Sequence, residues 1–157
     1  MGRINRLGQS TGGTVEVLVK KEFKLPANIR RTAGHSRKIG VAMHLQGVDW
    51  AEITIPYHEA YAADGLSGTV SLSPIPTLID SACAAAILTR AQKSLRFATL
   101  DLRIDYRRTA RRGYSLFARG HCYELTDVLA LTSAVVHDGD SDDIIAHATC
   151  SFYISEE

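Results

Sequence analysis

Apolar residues recur at spacings of three and four through one stretch of the chain and at a spacing of two through several others. These two periods separate a helix from strands. In SLSPIPTLIDSACAAAILTR, Ile75, Leu78, Ile79, Ala82 and Ala86 share one helical face, and Pro74 and Pro76 set helical φ near its start. The opposite face is hardly more polar, since no charge occurs from Ser81 to Thr89. A helix apolar all round is buried on most sides. Upstream, GVAMHLQGVDW and AEITIPYHEA are rich in β-branched and aromatic residues, and Gly47-Val48-Asp49 between them predicts the turn of a hairpin. Downstream, the alternating runs are Leu100, Leu102, Ile104, Tyr106; Leu116, Ala118, Gly120, Cys122; Leu129, Leu131, Ser133, Val135; and Ile144, Ala146, Ala148, Cys150, Phe152, Ile154. Period two over this length predicts long antiparallel strands with these residues facing the helix. ARRG, the Thr126-Asp127 corner and the acidic DGDSDD separate them as turns. The predicted order is two strands, one long buried helix and four strands, an α+β arrangement in which a sheet wraps the helix.

Composition bounds this picture. A chain of 157 residues with 45% hydrophobic content is the size of one compact domain with a core. Residues 1–14 are rich in Gly, Ser and Thr and lack any period that would bury a face, while a short helix is predicted over 26–33, stopped by Gly34. We therefore divide the chain into a basic N-terminal extension, 1–36, and a folded domain, 37–157. Residues 1–40 hold nine Lys/Arg against Glu16 and Glu22, a net of +7, which the remainder balances with −6. Opposite charges favour an arm docking on its own domain over one reaching for nucleic acid.

The first residues show no apolar leader core, and no run approaches the ~20 apolar residues that cross a bilayer. Arg6 stands where a myristoylation motif wants Ser or Thr. Cys83, Cys122 and Cys150 are odd in number and widely spaced, which fits neither a disulfide framework nor a zinc site and reads as small buried residues in a reducing cytoplasm. Asp138, Asp140 and Asp142 imitate a calcium loop, but its twelfth position is Thr149 and no Gly stands at its sixth, so the segment reads as a hairpin loop.

Two segments, TLIDSACAAA and TLDLRIDYRRTARRG, carry a likeness that the element order strengthens. From about Arg37 to Ile154 the chain resembles the hotdog fold of the 4-hydroxybenzoyl-CoA thioesterase superfamily, nearest its phenylacetyl-CoA thioesterase-like branch. The resemblance implies a long central helix wrapped by a curved antiparallel sheet of about six strands. It also implies hydrolysis of an acyl-CoA thioester to a carboxylic acid and free coenzyme A, with coenzyme A as part of the substrate and no other cofactor or metal required. It further implies a homodimer with sites at the subunit interface, commonly assembled into a tetramer. The family's His-Gly-Gly precedes its catalytic Asp by nine residues; here Ser71, Leu72 and Ser73 hold those places.

Asp80 is the leading site residue. Cys83 and Ala84 stand three and four positions on, so no local helix pair compensates its charge. A carboxylate in apolar surroundings then finds another partner, titrates upward or faces a cleft. By the resemblance it is the general base toward water, or the nucleophile. Leu72 would present its backbone N–H to the developing oxyanion, since Pro74 and Pro76 have none. Ser71 would donate through its hydroxyl, or it and Ser73 would simply cap the helix. Thr99 matches a hydroxyl position that orients the water, or is an ordinary strand residue. Asp101 and Asp105 are expected on the same strand face as Thr99 in structural or solvated roles.

Arg107, Arg108, Arg111 and Arg112 suit the phosphates of coenzyme A, one or two at a time, or form a solvated basic edge. His121 and His147 read as surface or packed residues; His58 could stand in for the motif His. A second class of reading, an acyl-CoA-binding hotdog protein with little or no turnover, draws on Ser71-Leu72-Ser73. A hydratase would need an acid paired with a His, and no His follows Asp80 before His121.

Overall fold

A computed structural model describes residues 34–62 and 69–155. The basic extension up to Ala33 and the helix expected over 26–33 lie outside the described residues. Gly34, with φ 60°, opens a short helix, α1 (Gly34–Lys38). There follow β1 (Ala42–Gln46), β2 (Trp50–Ile55), a 3₁₀ turn (Glu59–Tyr61), β3 (Thr69–Val70), α2 (Ile75–Ala91) and β4 (Arg96–Tyr106). β5 (Ala110–Arg111), β6 (Leu116–Leu125), β7 (Leu129–His137) and β8 (Ala146–Ser155) complete the chain.

The long strands form one six-stranded sheet in the order β1-β2-β6-β7-β8-β4, antiparallel throughout. It is the hotdog arrangement, with α2 packed in the concave face. The hairpin β1–β2 turns at the expected residues, where Asp49 accepts φ 72°. β3 and β5 are too short to show a period, and they make a small second sheet with each other.

The helix lies very close to the sheet. An ideal Cβ on Gly120 would come within 2.6 Å of the Ala82 carbonyl on α2, so this β6 position has room only for hydrogen. Close approach also decides which residues face inward on β7. The expected inward set Leu129, Leu131, Ser133 and Val135 is only half-buried, whereas Ala130, Thr132, Ala134 and Val136 are buried. Small side chains fit beneath α2, and the bulkier ones occupy the outer face. Cys83, Cys122 and Cys150 are buried and free, as expected. A hydrogen bond with Cys150 and burial together push the Cys83 thiol up, and burial pushes that of Cys122 up to about 11. Both therefore remain neutral packing groups.

β4 departs from strict alternation. Thr99 pairs with Phe152 and Asp101 with Ser151, leaving Leu100 as the extra residue of a β-bulge. Phe97 and Thr99, opposite the buried Ile154 and Phe152, face the helix; beyond the bulge Leu102 and Ile104 do so, opposite Cys150 and Ala148. Leu100 and Tyr106, expected inward, are 61% and 45% exposed. Asp101 and Asp105 turn outward, opposite Ser151 and His147, and so do not share the Thr99 face. Among the described residues, no helix is long and apolar enough to cross a membrane.

Candidate active site

Asp80 stands in the second turn of α2 and is half-buried, on a stripe with Thr77, Ser81 and Ala84 that the sheet does not fully cover. Its neighbours Leu78, Ile79, Ala82 and Cys83 point into the core. The carboxylate meets β4: the Thr99 hydroxyl donates to Asp80 Oδ1 at 2.6 Å. The bulge at Leu100 makes this contact possible while keeping Leu102 and Ile104 inward. A hydroxyl has one proton and a carboxylate about four acceptor positions, so after this bond both groups can still accept from a water.

The segment before the helix is built differently from a serine cap. Pro74 is the N-cap of α2, and no side chain caps it. Ser71 Oγ donates to Ser73 Oγ at 3.0 Å and accepts the Ser73 N–H at 3.3 Å, closing a turn on itself. Capping by Ser71 or Ser73 is thus replaced by the fixed φ of Pro74, which starts the helix without a side-chain bond. The Ser71 N–H is taken by the Tyr61 carbonyl at 2.6 Å, and the Leu72 carbonyl accepts the Ile75 N–H at 3.0 Å. Among the described residues, no acceptor takes the Leu72 N–H. His58 does not substitute for a motif His by contact with this turn. Its Nδ1 accepts the Ala60 N–H at 3.1 Å, capping the 3₁₀ turn whose Tyr61 carbonyl holds Ser71.

The arginines lie in and beside the turn from β4 to β5, and three of the four are held by carboxylates. Arg108 reaches Asp138 with both Nη atoms, at 3.0 and 2.8 Å, and Asp143 with Nε at 2.8 Å. Arg111 joins Asp138 at 2.7 Å and lies over the Tyr114 ring, 4.7 Å from its centroid. Arg112 is bonded to Glu59, which also accepts from the Tyr57 hydroxyl at 2.6 Å. Among the described residues Arg107 meets no carboxylate. Asp138, read from sequence only as part of a loop, is the residue this cluster is built around, with its side chain 0% exposed. Burial works against its charge, but the bonds from Arg108 and Arg111 outweigh that and hold its carboxyl well below the usual carboxylate range.

A second buried carboxylate escaped notice because strand alternation places it outward. Glu52 on β2 is 4% exposed, bonded to Arg119 at 2.9 Å, with Nε2 of His44 and of His137 each 3.7 Å from one of its oxygens. It belongs to the outer sheet face, away from Asp80. His121 is exposed and His147 half-buried on that same face. No group of metal-ligating side chains occurs among the described residues.

The family model described as the thioesterase superfamily matches residues 68–145, which run from β3 to the residue before β8 and contain both Asp80 and Thr99. The chain belongs to the thioesterase superfamily. Solved structures agree on the hotdog architecture of this family. A protein from Pseudomonas aeruginosa is 26% identical with TM-score 0.69, over 76% of this chain and 88% of that one. Zebrafish thioesterase superfamily member 2 is 16% identical with TM-score 0.67, over 80% and 90%. A thioesterase from Haemophilus influenzae is 15% identical with TM-score 0.66, over 77% and 82%. Among curated proteins, no sequence matches the chain.

Proposed function

We propose that this chain hydrolyses an acyl-CoA thioester, with Asp80 as general base, Thr99 as the hydroxyl that steadies the attacking water, and the Leu72 N–H as oxyanion donor. The observation that carries the proposal is the 2.6 Å bond from the exposed Thr99 on β4 to the half-buried Asp80 on α2. Water held between the two groups attacks the thioester carbonyl and passes its proton to Asp80. The carbonyl oxygen becomes an oxyanion facing the Leu72 N–H. Collapse breaks the C–S bond, and the proton on Asp80 goes to the leaving thiolate, giving a carboxylic acid and free coenzyme A. If Asp80 attacks directly, its carboxylate forms an anhydride with the acyl group as the C–S bond breaks and coenzyme A leaves as the thiolate; water then cleaves the anhydride to the carboxylic acid and the Asp80 carboxylate, its other proton going to the thiolate.

Arg107 is the arginine of the turn whose charge no described carboxylate matches, and it is the one proposed to meet a phosphate of coenzyme A. Self-association completes the reading. Among the described residues β4 is an edge strand, with exposed Leu100 and Tyr106, and an edge of 11 residues is a surface for pairing with a second copy. A homodimer, or a tetramer built from two, would then set each Asp80 close to its neighbour's turn. A cytoplasmic site of action belongs to the same proposal.

The test is thiol release from a panel of acyl-CoA thioesters that includes an arylacetyl member. Asp80→Asn should lower kcat about a thousandfold or more while the oligomer persists. Unchanged release would refute the role of Asp80. The second reading, a binding protein with little turnover, is favoured by one observation: Leu72 and Ser73 hold the places of the glycine pair, and Ser73 is bonded to Ser71, which holds that of the His. Calorimetry showing acyl-CoA binding without thiol release would select it.

A further inference from the structure

We infer that Asp138 is a positioning residue for the segment at the start of α2, acting through Arg111 and the β3–β5 pair. The inference rests on the thioester-hydrolase reading, since that is what gives the segment its task. Asp138 follows directly on the last residue of β7, with a fully buried carboxylate. Oδ1 accepts from Arg108 Nη2 at 2.8 Å and from Arg111 Nη2 at 2.7 Å, and Oδ2 accepts from Arg108 Nη1 at 3.0 Å.

The remaining bond matters most: Oδ2 also accepts the backbone N–H of Arg111 at 2.8 Å. It fixes main chain, and this main chain is β5. The two residues of β5 pair with the two of β3, Arg111 with Thr69 and Ala110 with Val70. Ser71 and Leu72 follow Val70 directly. Two strands of two residues have no stability of their own. Burial of Val70 and Ala110, at 4% and 3% exposed, and the anchor on Asp138 supply what the pairing lacks.

The same arginine turn holds the segment from a second side. Arg112 binds Glu59, which heads the 3₁₀ turn, and the Tyr61 carbonyl at the end of that turn takes the Ser71 N–H at 2.6 Å. The Leu72 N–H is therefore aimed by a clamp whose buried pivot is Asp138. An oxyanion donor is sensitive to displacements well under 1 Å and contributes in the transition state more than in the bound substrate. Loosening the clamp should consequently appear in kcat.

Asp138→Asn keeps the volume and removes the charge. We expect kcat for thiol release to fall about 10- to 100-fold with KM within about twofold. Hydrogen exchange at the amides of 69–73 should speed up while those of β6 and β7 stay protected. Unchanged kcat in the folded variant, a rise in KM alone, or unchanged exchange over 69–73 would each overturn the inference. If Asp138→Asn does not fold, Arg111→Pro, which removes the backbone N–H that Asp138 holds and leaves Asp138 paired with Arg108, takes the same two measurements, and the same outcomes sustain or overturn the inference. If the unaltered protein releases no thiol, the hydrolase reading fails, and exchange over 69–73 decides the clamp by itself: faster exchange sustains it, and no change rejects it.

Discussion

The Thr99 hydroxyl has one proton, and Asp80 takes it. That single allocation leaves the Thr99 oxygen facing a substrate water as acceptor only, so its part is to hold rather than to protonate. At the same scale Asp138 sets an acid limit on the fold. Its carboxyl is held below the ordinary aspartate value, so the unfolded chain binds this proton more readily than the native one does. The resulting stabilisation is complete above the unfolded pKa of about 3.9 and is lost as pH falls below it. Urea unfolding followed by circular dichroism should show stability declining below about pH 4, with Asp138→Asn less stable at neutral pH and flatter on the acid side. Parallel curves for the two proteins would exclude Asp138 as the source. Asp80 was legible in the sequence as a candidate because an isolated acid in an apolar helix breaks a pattern, and Thr99 only through the resemblance, which sets a hydroxyl at its position. Asp138 was not: inside DGDSDD it looks like any turn carboxylate, and its partners come from a separate turn some 30 residues away in sequence.

Among the elements, α2 and β6 approach more closely than any periodicity can announce. Gly120→Ala would drive a methyl into the backbone of Ala82 and Cys83, at 2.6 and 2.8 Å from the ideal Cβ. Backbone cannot rotate aside as a side chain can, so we expect a loss of about 1–3 kcal/mol in urea unfolding. A variant as stable as the parent would mean that the helix can shift on the sheet. This closeness also explains β7, where hydrophobic size pointed to the wrong face. Leu129, Leu131 and Val135 are the larger residues, but Ala130, Thr132, Ala134 and Val136 are the ones that fit under the helix. Alternation identified the strand, and packing distance chose its inner side. β3 and β5, two residues each, carry no readable signal, although the start of α2 depends on them.

For the whole molecule, the order of the long elements β1, β2, α2, β4, β6, β7 and β8 was readable, and so was the family. The contacts that gather the arginine turn, the 3₁₀ turn and the pre-helix segment were not, because each joins residues far apart in sequence. The open edge at β4 predicts self-association: sedimentation should give at least a dimer, and Leu100→Glu should shift it toward monomer. A monomeric parent protein would remove the edge-pairing proposal. Should two β4 strands meet antiparallel, each brings the same extra residue, and twofold symmetry places those residues at equal distances from the axis. Any slipped alignment would set the irregular stretch of one strand against regular ladder in the other. Leu100 would then work like the bit of a key, admitting one alignment of the two copies out of the several that a featureless edge would allow.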